Sequence, residues 1–314
     1  MLKVLLSLLL LNSLVFAIVD KTLAYPKDSK NITAQDIINQ VYFVNRHYAV
    51  KDFALEKVGR DVTLILRKVV NKRPTVNKIV AYIDNECKDK TLSSKDLYVF
   101  TSGKLKGVST LITEFKDKSI SEVYQVWLPA LRRIKKFAEP RHDDVLGEID
   151  FALISDVKMR KPDDETHTLM ARKKFGQILQ TMKIDKNHLT RDTKKIPGPS
   201  KEFINHEVYV VKSTIKNDEY SWYNYRVSYV DIKTFVDYKT EYYKKGQKIK
   251  VIDRVWAALP NISDPRAQRW VTWFSTNLET KTEQLTYTPA NVVMFNKNYP
   301  DSLWSSKNLK KFKK

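Results

Sequence analysis

Cysteine and glycine are scarce in this chain of 314 residues, with one Cys and seven Gly. A lone cysteine, Cys87, excludes a disulfide framework within the chain, and its polar setting, Asp84-Asn85-Glu86-Cys87-Lys88, reads as incidental. Few glycines leave little room for a phosphate-cradling loop. Gly103-Lys104-Leu105-Lys106-Gly107 has the wrong spacing for one and reads as a turn between strands. The five histidines, His47, His142, His167, His188 and His206, are scattered without ligand spacing, so no metal site is expected. No Gly-x-Ser-x-Gly nucleophile turn occurs, so no catalytic residue is singled out. After the first twenty residues no apolar run is long enough to span a bilayer.

What is present points to export and to strands. Met1-Leu2-Lys3 is a short positive start, and Val4 to Val19 is a nearly unbroken apolar run. Small residues then fit cleavage after Ala17 or after Ala24, so residues 1–24 are expected to hold a signal peptide. No cysteine follows either cut to take a lipid. Removal of Met1 to Ala17 takes away only Lys3, so the net charge of +20 becomes +19. With one cysteine and an export segment, the expected location is the periplasm of a Gram-negative bacterium, in solution after cleavage. Export disfavours nucleic acid as the partner of so basic a chain and leaves anionic lipid.

Aromatic residues reach 11 %, which favours strands. Ala34 to Tyr48 carries an apolar stripe and is predicted helical, with Thr33 as its cap and Asp36 in its first turn. From Val62 the period falls to about two. Strands are expected at 62–67, 78–83, 96–101, 107–115 and 122–128. The stretch from Leu153 to Pro199 is irregular, with short helices such as Lys173 to Met182, and Ile196-Pro197-Gly198-Pro199-Ser200 breaks it. Strands resume at 207–215, 222–231, 235–243, 248–257, 269–275 and 279–287, giving ten or eleven in all. Residues 307–314 read as a basic tail.

One stretch carries a resemblance. A strand ends in Trp127-Leu128-Pro129-Ala130-Leu131, the basic run Arg132-Arg133-Ile134-Lys135-Lys136 follows through a further strand, and Leu146-Gly147-Glu148-Ile149-Asp150-Phe151 comes next. This resembles the LolA-like outer-membrane lipoprotein-sorting family, in its exporter-associated branch. Trp127 to Arg133 keep the family's first element. Gly147, Asp150 and Phe151 fit the second, in which Glu148-Ile149 replaces a single small residue. Glu241-Tyr242-Tyr243-Lys244-Lys245-Gly246-Gln247-Lys248 is similar to its paired strands with a Gly-Lys-type turn. The resemblance implies a mainly β (α+β) fold over residues 25–306: a single large curved antiparallel sheet forming an incomplete β-barrel, with an N-terminal helix and short lid helices. It implies a periplasmic carrier that holds lipid or lipoprotein acyl chains and moves them toward the outer membrane, with no catalysis and no cofactor.

Such a carrier needs a concave apolar face. The alternating residues Val62, Leu64, Leu66, Val123, Trp127, Trp222, Trp270 and Phe274 are the candidate lining, and the same pattern is how a closed core is built. Which parity faces inward is open, since a one-residue slip exchanges the faces. Arg132 and Arg133 are candidates for a head-group site at the mouth, or for a solvated edge that deters aggregation. The expected partners are a lipid or acylated lipoprotein, an inner-membrane exporter and an outer-membrane acceptor, met by a monomer. A rival reading is an accessory protein that docks on a lipid exporter through its basic surface. A third is a hydrolase with dispersed carboxylates.

Overall fold

The computed structural model describes residues 21–26, 31–117, 119–138, 160–216 and 221–311. The export segment up to residue 20 and the Leu146–Phe151 element lie outside the described residues. Helix α1, Ala34–Asn45, begins at a capping box: Thr33 Oγ1 accepts from Asp36 N at 3.1 Å, while Thr33 N donates to the Asp36 carboxylate at 3.2 Å. It stops three residues short of the expected Tyr48 because His47 turns to φ 55°.

The strands are β1 Asp52–Leu55, β2 Thr63–Val69, β3 Thr75–Asp84, β4 Leu92–Phe100, β5 Ser109–Phe115, β6 Val123–Leu128, β7 Arg133–Ala138 and β8 Glu165–Lys174. Then come β9 Glu207–Ile215, β10 Tyr225–Asp231, β11 Asp237–Lys244, β12 Gln247–Ala258, β13 Gln268–Asn277, β14 Thr282–Tyr287 and β15 Val293–Phe295. All belong to one antiparallel 15-stranded sheet in the order β7-β6-β5-β4-β3-β2-β14-β13-β12-β11-β10-β9-β8, with β1 joining β3 to β15. The sheet does not close: among the described residues β7 and β8 end it as unpaired edges.

Helix α1 shows how strongly the sheet curls. Asn45 Nδ2 donates to Asp237 Oδ1 at 3.3 Å on β11, and Arg46 reaches Asp96 on β4 at 3.1 Å and Glu114 on β5 at 2.7 Å. Six strand steps separate β4 from β11 in the sheet order. In a flat sheet they would stand about 29 Å apart, too far for two adjacent residues to span. The sheet therefore wraps around the end of α1, and the face bearing Asp96, Glu114 and Asp237 is the inner one.

The outer face is crossed by two stretches with little regular structure. Met182, Ile184 and Ile196 from one, and Trp304 and Leu309 from the other, pack on Leu64, Leu66, Leu97, Leu111 and Leu285. The expected helix at Lys173 to Met182 is not formed. Lys173 and Lys174 finish β8, and Leu179 bridges to Ser200. Phe175 and Leu179 enter the α1 core while Met182 enters the outer-face core, so these apolar residues serve two cores and not one helix stripe. The short elements of the middle stretch are 3-10 turns at Pro162–Asp164, Lys186–His188 and Thr193–Lys195. Of the basic tail, Lys307 to Leu309 belong to the helical turn Ser306–Leu309, and Ser109 Oγ donates to Leu309 O at 2.8 Å. No helix among the described residues is long and apolar enough to cross a membrane.

The N-terminal residues 21–25 form a strap. Lys21 Nζ donates to the carbonyls of Asn85 and Ser93, Arg266 Nη1 donates to Leu23 O at 2.7 Å, and Gln40 Nε2 donates to Ala24 O at 2.8 Å. Tyr25 Oη donates to Lys233 O at 3.0 Å.

Candidate functional site

A cleft of about 480 Å³ opens where β9, β11 and β13 begin and β10 and β12 end. That volume lies within the range of small-molecule sites. Its floor is apolar: Phe203, Val236, Tyr238 and Trp256 line it. Phe203 stacks on Tyr238 with ring centroids 4.3 Å apart, and Trp256 Nε1 donates to Asp237 O at 3.2 Å, which fixes the indole. The turn between β10 and β11 is tight enough to hold Phe235 at φ 55°, and its ring is buried between Tyr25 and Tyr209.

The lip is polar and ordered. Asp231 Oδ1 accepts from Lys233 N at 2.9 Å and Thr234 N at 2.8 Å, and Tyr238 Oη donates to Asp231 Oδ2 at 2.6 Å. His206 Nδ1 lies 3.0 Å from Tyr238 Oη. Burial, then the charge of Asp231, push the Tyr238 phenol well above its ordinary value. It stays protonated as a donor. The arrangement offers polar groups at the lip and apolar surface on the floor, and none of the described lining residues is an activated nucleophile.

Beside the apolar clusters around α1 and around Tyr242, Ile252 and Trp273, the rest of the inner face carries buried ion pairs. Arg46 meets Asp96 and Glu114, Arg254 Nη1 lies 2.5 Å from Asp237 Oδ2, and Arg226 Nη2 lies 2.7 Å from Glu165 Oε2. Burial disfavours the Glu165 carboxylate, but Arg226 and the Tyr223 hydroxyl outweigh it and hold the carboxyl below its ordinary value. These groups are already closed off from solvent by their neighbours, so they offer no open surface for an acyl tail.

The residues named from sequence do not share one place. Val62, Leu64, Leu66, Trp127 and Phe274 come together, but on the outer face, as a packed core beneath Met182, Trp304 and Leu309. Trp270 sits against His47 and Trp256, whose ring is 5.9 Å away, and so backs the cleft floor. Trp222 meets Tyr223 edge-on and Tyr242 at a tilt elsewhere, and Val123 is half-buried on β6. Arg132, at φ 48°, and Arg133 are exposed at the β6–β7 turn. The cleft residues Phe203, His206, Asp231, Tyr238 and Trp256 were not singled out from sequence. The one available signal was the alternation through Val236 and Tyr238 at the start of β11.

A family model described as "Uncharacterized protein" matches residues 93–311. No curated protein matches the chain. Among solved structures, the chain is similar to a candidate outer membrane lipoprotein-sorting protein domain from Vibrio parahaemolyticus, with 14 % identity, 90 % of this chain and 100 % of that chain covered, and a TM-score of 0.59. It is similar to a DUF1329 family protein from Desulfovibrio piger ATCC 29098, at 11 % identity over 88 % of this chain and 99 % of that one, TM-score 0.62. It is also similar to a LolA superfamily protein from Nitrosomonas europaea, at 12 % identity over 88 % and 99 %, TM-score 0.50. These likenesses give the fold, a LolA-like open sheet.

Proposed function

The chain belongs to the family whose model spans residues 93–311, and from its LolA-like fold we propose that it is a carrier of lipid or lipoprotein acyl chains in the bacterial envelope. The observation that carries this reading is the cleft of about 480 Å³, with an aromatic floor and a polar lip, at one end of an unclosed sheet. Each buried CH₂ of a tail contributes about 0.8 kcal/mol, so an apolar floor suffices for affinity without polar recognition of the tail. A head group then meets His206, Asp231 and Thr234. Val62, Leu64, Leu66, Trp127 and Phe274 serve this role indirectly, by holding the curl from outside. No chemistry is performed, and no cofactor is required.

The same reading places the protein in the periplasm, taking cargo from an inner-membrane exporter and passing it to an outer-membrane acceptor. Of the two candidate cuts, the one after Ala17 fits better, because a cut after Ala24 would remove Lys21 and Leu23 from the strap. The test is mass spectrometry of lipid extracted from protein purified from its native envelope. Stoichiometric acyl lipid is expected, and it should be lost when Val236→Trp fills the cleft. Protein free of lipid, with no binding of a fluorescent fatty acid, would sink the carrier reading in favour of an accessory protein without cargo.

A further inference from the structure

In an antiparallel meander every second turn falls on the same rim, so the register alone gathers five hairpin tips at one end of this sheet: β2–β3, β4–β5, β6–β7, β11–β12 and β13–β14. The β9–β10 tip shares that rim, and its residues 217–220 lie outside the described ones. The five tips form a continuous arc. Leu278 N donates to Ile249 O at 2.8 Å, and Val70 N donates to Lys281 O at 2.8 Å, linking three of them. Gly103 lies so close to Asn77 on β3 that an added Cβ would stand 2.2 Å from its Oδ1, and a Cβ on Gly107 would stand 3.2 Å from Pro129, which links the other two.

The chemistry of this arc is one-sided. Lys72, Arg73, Lys104, Lys106, Arg132 and Lys245 stand exposed on it, Glu279 is the one acid in the five tip sequences, and the sequence of the β9–β10 connection adds Asp218 and Glu219. Bulky aliphatic side chains also point into solvent there: Val69 is 50 % exposed, Leu131 49 % and Leu278 46 %. The opposite rim differs, for its turns mix Glu86, Asp89, Asp117, Glu122 and Asp264 with their cations. Aliphatic tips set among cations suit a bilayer interface, where apolar groups enter the head-group layer and Lys and Arg meet anionic lipid.

We propose that this rim docks the protein on an anionic membrane surface, with Val69, Leu131 and Leu278 entering the interface and the tip cations held by lipid phosphates. The docking needs no cargo in the cleft, so it stands or falls separately from the carrier reading.

The test is sedimentation of the full chain with vesicles of phosphatidylglycerol and phosphatidylcholine, beside vesicles of phosphatidylcholine alone. Binding is expected only to the anionic vesicles, weakening as salt rises. Each neutralised cation should weaken it about fivefold, so the double variant Arg73→Glu with Arg132→Glu should lose well over tenfold. Leu131→Ser with Leu278→Ser should lose severalfold at unchanged charge. Lys90→Glu with Lys116→Glu, on the opposite rim, should bind more tightly than the Arg73/Arg132 variant. All substituted sites are exposed turns, and an unchanged thermal midpoint shows that folding is intact. Equal binding to neutral vesicles, no binding to anionic ones, or full binding by the Arg73/Arg132 variant would each overturn the proposal. Salt-sensitive retention on an acidic protein without vesicle binding would also overturn it, and would point to a protein partner.

Discussion

The two faces of this sheet differ in how they use charge. On the outer face Leu64, Leu66, Leu97, Leu111, Phe274 and Leu285 form a core under irregular chain, with one buried pair, Lys239–Asp253, beside Phe274. The inner face surrounds α1 with an apolar cluster of its own and adds Arg46, Asp96, Glu114, Asp237 and Arg254, all buried and paired. A buried pair adds little net stability over apolar packing, yet removing one partner is costly. Both apolar clusters thus supply stability by burial, while the inner pairs fix where α1 sits relative to strands far apart in sequence.

That contrast can be broken from either side. The largest effect is expected inside: Asp237→Ala leaves Arg254 buried without its counter-charge and should cost about 3–5 kcal/mol in urea unfolding. On the outer face, Leu66→Ala opens a cavity in a fully buried site and should cost about 3 kcal/mol with Arg254 undisturbed. If the outer change proves the costlier, the inner pairs matter less than the apolar packing.

Acid sharpens the comparison further. His47 is buried beside Arg46, stacks on Phe53 at 3.9 Å and has its pKa lowered by burial from 6.5 to about 4. The unfolded chain therefore takes up this proton first as pH falls. Stability is full above pH 6.5 and is lost on the way down to about pH 4, by on the order of 2–3 kcal/mol. Asparagine tolerates the positive φ, so His47→Asn should flatten the slope of thermal midpoint against pH between those values. Glu165, whose carboxyl is lowered, adds stability that disappears at still lower pH. The smallest effect belongs to the outer cover: Asp192→Asn removes the 2.6 Å pair with Lys78, about a third exposed at both ends, and should change stability by less than about 1 kcal/mol.

Much of the fold was legible because period-two alternation survives wherever one strand face meets a core. β2 to β6 and β9 to β14 each overlap an expected strand, and the basic run Arg132 to Lys136 falls largely in β7. The three unexpected strands lack that signal. β1 and β15 are short, and β8 is an edge whose last seven residues are exposed on both sides. The site was harder to read. The apolar parity of Leu64, Leu66 and Trp127 is the natural choice for a cavity wall, but the curl puts Asp96 and Glu114 inside instead. Their partner, Arg46, is 50 and 68 residues away, and no local pattern announces such a pairing. The cleft unites Phe203, Asp231 and Trp256 from separate turns and strand ends, so register had to be known before it could be seen.

The placement of α1 constrains the order in which this molecule assembles. It is the first element among the described residues, yet Asn45 waits for a carboxylate 192 residues downstream. Its surroundings are complete only once β11 and β12 exist, so the helix must remain unhoused while most of the polypeptide is produced. Contacts this distant make for slow, late consolidation, and the N-terminal helix is among the last parts to become secure.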